Sequence, residues 1–183
     1  MAYGYIPEPV TTVKKVYPLP KGYFLKYSVP AKQFLLQSFK HYSYFPKISS
    51  EEEAIKAIRE RLSISVKRHL LADAPIGIFL SGGVDSSILA MLAAGENPKQ
   101  LNTLSLYFEE KAYSEKRFQD MMINKLGCKN QQHLLKESEF HENFPNILLA
   151  MDMPCSDGIN TWFISKSARQ QGLKAVLSGV GGD

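Results

Sequence analysis

Residues 76–87 read Ile-Gly-Ile-Phe-Leu-Ser-Gly-Gly-Val-Asp-Ser-Ser, an apolar run that passes directly into a glycine loop. A continuous apolar run is typical of a strand that is buried on both faces, as in a parallel sheet. The pattern after Gly83 predicts a helix. The stretch therefore predicts a strand, a tight loop and a helix, which is the corner where an open parallel sheet binds ligands.

The same alternation of strand and helix continues on both sides of this stretch. A helix with a Ser49 or Ser50 cap and an acidic first turn is predicted to precede it and to end before Pro75. Further strands are predicted at residues 101–108, 132–135 and 174–177, and further helices at residues 113–126, 139–151 and 160–171. Strands that alternate with helices predict an α/β fold, an open parallel sheet with helices on both faces.

Apolar residues that recur at helical spacing predict which face of each helix is buried. We interpret these residues as core packing and not as cofactor contacts. They are Ile55, Ile58, Leu62, Val66 and Leu70 in the first helix, Ile88, Leu89, Met91 and Leu92 in the second, Phe118, Met121, Met122 and Leu126 in the third, and Phe140, Phe144, Ile147, Leu148 and Met151 in the fourth.

The first 47 residues follow a different pattern, with several prolines and short runs of alternating apolar residues. Residues 10–16 and 23–27 predict two strands of a β-hairpin, joined by a turn at residues 18–22. A lone hairpin cannot form its own core. We therefore predict two parts, a hairpin and linker at residues 1–47 and the α/β part at residues 48–183, which is incomplete.

The amino-acid composition argues against several classes of protein. The 183 residues are 44% hydrophobic and 22% charged, with a net charge of +4, which is typical of a soluble globular chain. Lysines and arginines are scattered, which argues against a nucleic-acid or polybasic membrane surface and is compatible with a small polyanionic ligand. No segment reaches the length of a membrane span, and no signal peptide is evident.

The numbers and spacing of cysteine and histidine argue against a zinc site and against a set of disulfides. The two cysteines and four histidines show no zinc-ligand spacing. We interpret Cys128 and Cys155 as free thiols. A reducing, cytoplasmic setting is the default expectation.

The glycine loop has the chemistry of a phosphate site. Gly82 and Gly83 allow close approach of the backbone to an oxyanion. The hydroxyls of Ser81, Ser86 and Ser87 lie beside backbone N–H groups at a helix N-terminus, which together favour phosphate or pyrophosphate.

Asp85 adds a carboxylate to this loop, and a carboxylate repels phosphate unless a divalent cation lies between them. Asp85 is therefore a predicted Mg²⁺ ligand. The loop lacks the lysine of a Walker loop and the spacing of a dinucleotide loop. A loop that holds pyrophosphate as a leaving group favours attack at the α-phosphate, which forms an adenylate.

A second glycine loop ends the sequence. Residues 176–183 read Val-Leu-Ser-Gly-Val-Gly-Gly-Asp, again a strand followed by a loop. We predict that this loop brings Asp183 to the same sheet edge as Asp85, where the two carboxylates share a metal-bound pyrophosphate. Placement of these aspartates on opposite sides of the molecule would exclude adenylation.

These motifs resemble two known patterns. Residues 81–86 resemble the Ser-Gly-Gly-x-Asp-Ser signature of the PP-loop ATP pyrophosphatases, and residues 177–183 resemble an element of the asparagine synthetases. Residues 151–161 are similar to a segment that lines the substrate side in that family. Residues 7–11 and 19–23 resemble the last hairpin and exit linker of its glutaminase domain.

The resemblance implies a reaction and a set of site residues. The side-chain carboxylate of aspartate attacks ATP to form an acyl-adenylate and pyrophosphate, and ammonia derived from glutamine displaces AMP to give asparagine. The implied ATP and Mg²⁺ residues are Leu80, Ser81, Gly82, Gly83, Asp85, Ser86 and Ser87, with Leu106 and Gly179 at the adenosine, Ser178 and Asp183 at the pyrophosphate and metal, Asp85 and Asp183 as catalytic residues, and Tyr113, Ser114 and Glu115 as an acidic border.

Two departures from the family pattern keep alternatives open. Val180 stands where asparagine synthetases of the best-known type place a glutamate, and the glutaminase domain and catalytic lysine are expected to lie outside these residues. The alternatives are an amidotransferase or β-lactam-synthetase-like ligase that acts on another carboxylate, and a nucleotide-binding module without catalysis. These 183 residues alone are expected to bind nucleotide weakly at most, without turnover, and the resemblance is compatible with a homodimer.

Overall fold

The computed structural model describes residues 4–39, 48–96, 101–110 and 114–180. Most predicted elements of the α/β part are confirmed to within a few residues, and residue 113, where the third helix was expected to begin, lies outside these ranges. The elements are β1 (Tyr23–Ser28), β2 (Gln33–Ser38), α1 (Glu51–His69), β3 (Ile76–Phe79), α2 (Val84–Glu96), β4 (Asn102–Phe108), α3 (Lys116–Leu126), β5 (Lys129–Leu135), α4 (Glu137–Ala150), α5 (Gly158–Gln170) and β6 (Ala175–Leu177).

Four strands form a parallel sheet in the order β5-β4-β3-β6. Ile78 at the centre of β3 is level with Thr103 of β4 on one side and with Leu177 of β6 on the other. The chain moves from β3 through β4 to β5 and then returns to the far side of β3. The order in which the chain adds strands therefore reverses between β3 and β6, although all four strands are parallel. An open parallel sheet forms its ligand crevice at such a point.

Helices cover both faces of this sheet. On one face Val66 of α1 and Ala90 of α2 pack with Ile78, and residues of α3 border the same cluster. On the other face Ile147 of α4 and Phe163 of α5 are almost completely buried. Burial of an aliphatic or aromatic side chain of this size contributes about 1.5–3 kcal/mol, so these contacts hold the strand ends in fixed positions.

The hairpin is present, but one of its predicted strands was wrong. β1 agrees with the predicted strand at residues 23–27, and its antiparallel partner is β2 and not residues 10–16. The Thr11 hydroxyl donates hydrogen bonds to the carbonyls of Val13 and Val16, at 2.9 and 2.7 Å, and Lys15 has a φ of 66°. Such local side-chain hydrogen bonds favour a compact turn over a strand.

The buried faces of several helices also differ from the predicted ones. In α1 only the C-terminal half packs inward, and in α3 the inward residues are Gln119, Met122, Ile123 and Leu126. Spacing alone cannot select among several apolar rows on a helix, because the neighbouring elements decide which row is covered. The predicted core residues that are instead exposed are Ile55, Ile58, Ile88, Met91, Phe118, Met121, Phe144 and Leu148.

Candidate nucleotide site at the sheet edge

The first glycine loop connects the end of β3 to α2. The backbone N–H of Leu80 donates to the Leu104 carbonyl at 2.8 Å, which fixes the start of the loop against β4. Gly82 has a φ of +96°, a left-handed conformation that favours glycine. The Ser87 N–H donates to the Gly83 carbonyl at 3.1 Å and so closes the first turn of α2.

Hydroxyl groups stiffen this loop from within. The hydroxyl of Ser86, which is 5% exposed, donates to the Gly83 carbonyl at 3.1 Å and lies 2.9 Å from the Ser81 hydroxyl. The Gly83 N–H donates to the Ser81 hydroxyl at 3.2 Å. Two of the three predicted serines therefore shape the loop. Ser87 lies further along α2 and is not among the residues that line the two cavities described below.

The second glycine loop meets the first at close range. A Cβ added to Gly179 would lie 2.9 Å from the Ser86 backbone nitrogen and 3.2 Å from the Asp85 Cβ. Contacts this short to backbone allow only glycine at the position. The two loops therefore converge at the carboxyl ends of β3 and β6, as the sequence predicted for residues 81–87 and the start of 178–183. Asp183 itself lies outside the described residues.

Residues of both glycine loops line a small cavity, which we call the loop cavity. Its volume is about 260 Å³, and the exposed carboxylate of Asp85 stands at its edge in the first turn of α2. The residues that line it are Phe79, Ser81, Gly83, Val84, Asp85, Ser86, Ser178, Gly179 and Val180.

A larger cleft of about 610 Å³ opens beside the loop cavity and shares Phe79, Ser81, Ser178 and Val180 with it. Its base is apolar and its borders are polar. The apolar lining includes Phe79, Leu80, Leu104, Leu106, Phe108, Phe118 and Ile164, and the polar lining includes Ser114, Glu115, Gln119, Asp157, Asn160 and Thr161. An apolar base with few polar groups at its border suits a flat organic ring next to a phosphate loop.

The sequence assigned Leu106 and Gly179 to the adenosine and Leu80 to ATP and Mg²⁺, and the structure places Leu106 and Gly179 in different cavities. Leu80 and Leu106 line the large cleft, and Gly179 lines the loop cavity. Ser114 and Glu115 of the predicted acidic border also line the cleft, and Tyr113 lies outside the described residues.

The predicted substrate segment, residues 151–161, also reaches the cleft. It contributes Asp157, Asn160 and Thr161 to the lining. The N-terminal segment holds this wall in place, because the Ser156 N–H donates to the Gly4 carbonyl at 2.7 Å. The loop before α5 is therefore tied to the N-terminal segment.

The charges around the two cavities are negative. Glu115 and Asp157 line the cleft and Asp85 lines the loop cavity, whereas no lysine or arginine occurs among the described lining residues. Within the described ranges no group of three or more potential metal-ligating side chains is present. A polyphosphate could bind here only with a cation to offset this charge.

One residue of the site was missed by sequence analysis. Gln119 of α3 is 1% exposed, lines the cleft and donates hydrogen bonds from Nε2 to the carbonyls of Ser81 and Leu106. Its position in the sequence could have identified it. Gln119 lies at helical spacing from Met122, Ile123 and Leu126, so it is a polar residue on the apolar face of the predicted helix.

Comparison with known proteins agrees with this geometry. A family model described as asparagine synthase matches residues 57–183, which is more than half of the chain. The chain belongs to the asparagine synthase family. The parallel sheet, the two converging glycine loops and the adjoining cleft are therefore features of an asparagine synthase domain.

Two curated members of the wider group illustrate the range of relatives. Asparagine synthetase (glutamine-hydrolyzing) 1 of Bacillus subtilis strain 168 is 31% identical over 196 residues, covering 100% of this chain and 29% of that protein. Amidase chyE of Penicillium rubens is 30% identical over 152 residues, covering 73% of this chain and 22% of that protein. The chain thus spans less than a third of the length of either relative.

Two solved structures share part of the architecture. They are an NH3-dependent NAD synthetase from Campylobacter jejuni, with a TM-score of 0.45 and 10% identity over 66% of this chain and 54% of that one, and an NMN synthetase from Francisella tularensis, with a TM-score of 0.44 and 18% identity over 70% of this chain and 54% of that one. Separately, no helix in the described part of the chain is both long and apolar enough to cross a bilayer.

Proposed function

We propose that this asparagine synthase domain activates a carboxylate with ATP for amide formation, with the side chain of aspartate as the acceptor and asparagine as the product. The observation that carries the proposal is the contact of Gly179 with the backbone of Asp85 and Ser86. This contact joins two phosphate-type loops at the point where the strand order switches. A single triphosphate can therefore contact both loops.

The reaction proceeds in two balanced steps. An oxygen of the acceptor carboxylate attacks the α-phosphorus of ATP, so that a new O–P bond forms and the bond to the pyrophosphate oxygen breaks. Ammonia then attacks the carbonyl carbon of the acyl-adenylate, the bond to the AMP oxygen breaks, and the nitrogen loses a proton to give the amide. The ammonia is proposed to come from glutamine, in keeping with the name of the Bacillus relative.

The residues of the chain bind and orient the reactants in this scheme. The backbone and hydroxyls of residues 81–87, together with Ser178, hold the pyrophosphate portion. Gly179, which the sequence assigned to the adenosine, lines the loop cavity beside them. Leu80 and Leu106 contact the adenosine in the apolar cleft. The walls near Asp157 and Asn160 lie on the acceptor side and restrict access of water.

A magnesium ion fits the donor set. Asp85 offers a hard carboxylate oxygen beside the Ser81 and Ser86 hydroxyls, and Mg²⁺ commonly takes one or two carboxylates together with substrate phosphates. Asp85 would hold the ion, with Asp183 as a predicted second ligand. The ion would offset the phosphate charge and stabilise pyrophosphate as a leaving group.

The rest of the assignment follows from this function. We infer that residues 1–47 belong to the end of a glutaminase-type domain and its linker, and that residues 48–183 belong to the ATP-binding domain. A cytoplasmic location is proposed because the reaction consumes ATP, and a homodimer stays a prediction.

A second candidate is the same activation applied to a different carboxylate. Val180 is 81% exposed and lines the cleft, so an apolar side chain stands where the best-known family members carry a carboxylate. One relative, moreover, bears the name amidase and not asparagine synthetase. An altered acceptor pocket is consistent with both observations.

The test is exchange of labelled pyrophosphate into ATP by the complete gene product that carries these residues. Exchange is expected only with Mg²⁺ and a carboxylate acceptor, and Asp85→Asn should lower its rate at least roughly tenfold, as is usual for groups that hold a metal. Asp73→Asn, an exposed carboxylate before β3 that lines neither cavity, is the matched control.

The acceptor decides between the candidates. Exchange that depends on aspartate supports asparagine formation, and exchange with another acid but not with aspartate supports the second candidate. Absence of exchange with every acid, together with unimpaired ATP binding, would replace both with a nucleotide-binding module.

A further inference from the structure

The first turn of α3 packs tightly against the first glycine loop. A Cβ added to Gly82 would lie 3.1 Å from the Phe118 Cβ, 3.2 Å from the Gln119 backbone nitrogen and 3.2 Å from the Glu115 carbonyl. The left-handed backbone of Gly82 therefore lets the loop lie directly on the helix. This contact fixes the position of the loop relative to α3.

The side chain of Gln119 extends the same contact to β4. Its Nε2 donates to the Ser81 carbonyl at 3.0 Å and to the Leu106 carbonyl at 2.9 Å. Ser81 belongs to the phosphate-type loop, and Leu106 belongs to the base of the large cleft. One amide group thus bridges the two parts of the site.

The chemistry of the amide defines its orientation. Carbonyl oxygens only accept hydrogen bonds, so Nε2 and not Oε1 must face Ser81 and Leu106. Gln119 Oε1 is then buried without a hydrogen-bond partner among the described residues. An unpartnered buried acceptor destabilises the folded state, so an apolar residue would be more favourable in this core row if packing were its sole purpose.

We propose that Gln119 is a positioning residue that sets the separation between the phosphate loop and the base of the cleft. This inference rests on the proposed binding of ATP across both parts. Gln119 lines the cleft with only 1% of its surface exposed, so it acts on the nucleotide through the Ser81 and Leu106 backbones. Its effect is therefore confined to ligands long enough to contact both parts at once.

The dependence on ligand length distinguishes a positioning role of Gln119 from a general structural role. Adenosine is expected to contact only the cleft, and pyrophosphate only the glycine loops. ATP contacts both, so its affinity depends on the distance between them. Loss of the bridge should weaken ATP without a comparable effect on either fragment. A residue that merely stabilises the fold would affect all three ligands in parallel or none of them.

The experiment measures dissociation constants for Mg-ATP, adenosine and Mg-pyrophosphate with the complete gene product and its Gln119→Met variant. We expect the constant for Mg-ATP to rise about tenfold and those for the two fragments to change less than about threefold. Thr103→Val is the matched control, because Thr103 is 1% exposed, accepts a hydrogen bond from Asn130 at 2.8 Å and lines neither cavity. It should lower stability and leave all three constants unchanged.

Each other outcome has a defined meaning. An unchanged constant for Mg-ATP, or parallel weakening of all three ligands, overturns the positioning role and leaves the proposed function intact. Failure of the unsubstituted protein to bind Mg-ATP overturns the proposed function and this inference with it. Should Gln119→Met not fold, Gln119→Asn replaces it, because its amide is one methylene too short to reach both carbonyls and the same pattern is expected.

Discussion

At the scale of single residues, Gly179 determines whether the two loops can meet. A methyl group at this position would enter the space of the Ser86 backbone nitrogen, and backbone cannot move aside as a flexible side chain can. The second loop would have to withdraw from the N-terminus of α2. The distance between the two glycine loops would then increase.

We therefore expect Gly179→Ala to lower pyrophosphate exchange at least about tenfold, with a loss of stability near 1 kcal/mol, because strain relaxes through displacement of the loop. Exchange rate and thermal unfolding measure the two effects. Gly95→Ala is the matched control, since the space beside Gly95 in α2 is open and alanine favours helix. Full exchange activity in Gly179→Ala would contradict the proposed contact.

At the scale of elements, a polar contact joins α3 to β5 on the side away from the cleft. Lys116 Nζ lies 2.8 and 2.7 Å from the two carboxylate oxygens of Asp120, and Gln132 Nε2 donates to Asp120 at 2.7 Å. The hydrogen bond from Lys116, followed by that from Gln132, lowers the pKa of Asp120 below its ordinary value of 3.8. The contact helps to hold the helix that carries Gln119.

This lowered pKa predicts a pH dependence of stability. A depressed folded-state pKa contributes stability that is present above the unfolded pKa, so the contribution should begin to decrease near pH 3.8 and be lost as pH falls through the lower folded-state pKa. Because the side chain of Asp120 is 44% exposed, we expect only about 0.2–0.5 kcal/mol. Asp120→Asn should be less stable than the parent at pH 7 by this amount, and the gap should close in acid.

Chemical denaturation at a series of pH values checks the expectation. Asp73→Asn, an exposed aspartate before β3, is the control and should follow the parent at every pH. If the difference in unfolding free energy between the parent and Asp120→Asn stayed the same from pH 7 to acid, the charge of the carboxylate would not contribute to stability.

At the scale of the whole molecule, the negative border of the site predicts that the proposed nucleotide binding depends on a divalent cation. Glu115, Asp157 and Asp85 line the cavities without a compensating lysine or arginine among the described lining residues. A ligand at a hundredfold excess over its Kd stabilises a protein by about 2.7 kcal/mol. For a domain of this size that amounts to an increase in Tm of several degrees.

We expect Mg-ATP to raise the Tm of the complete gene product by several degrees and ATP with EDTA to raise it by less than one degree. Thermal unfolding with Mg²⁺ alone provides the baseline. An equal increase with EDTA would mean that side chains outside the described ranges neutralise the phosphates, and Asp85 would lose its proposed role.

The local sequence was sufficient for the order of most elements of the α/β part and for the position of the first glycine loop. Residues 76–87 predicted a strand, loop and helix because a continuous apolar run and paired glycines each have few structural solutions. The convergence of the two loops followed as well, since the carboxyl ends of parallel strands share one edge. The assignment to the asparagine synthase family agrees with the motif resemblance.

Tertiary structure decided what local patterns leave open. The pairing of β6 with β3, the pairing of β1 with β2 and the exposure of Phe118 depend on which surfaces meet, and these contacts join residues far apart in sequence. Gln119 shows the same limit, because its function depends on two carbonyls from different elements. The sequence by itself thus determined which polar groups each glycine loop carries, whereas packing decided which of these groups lie close together.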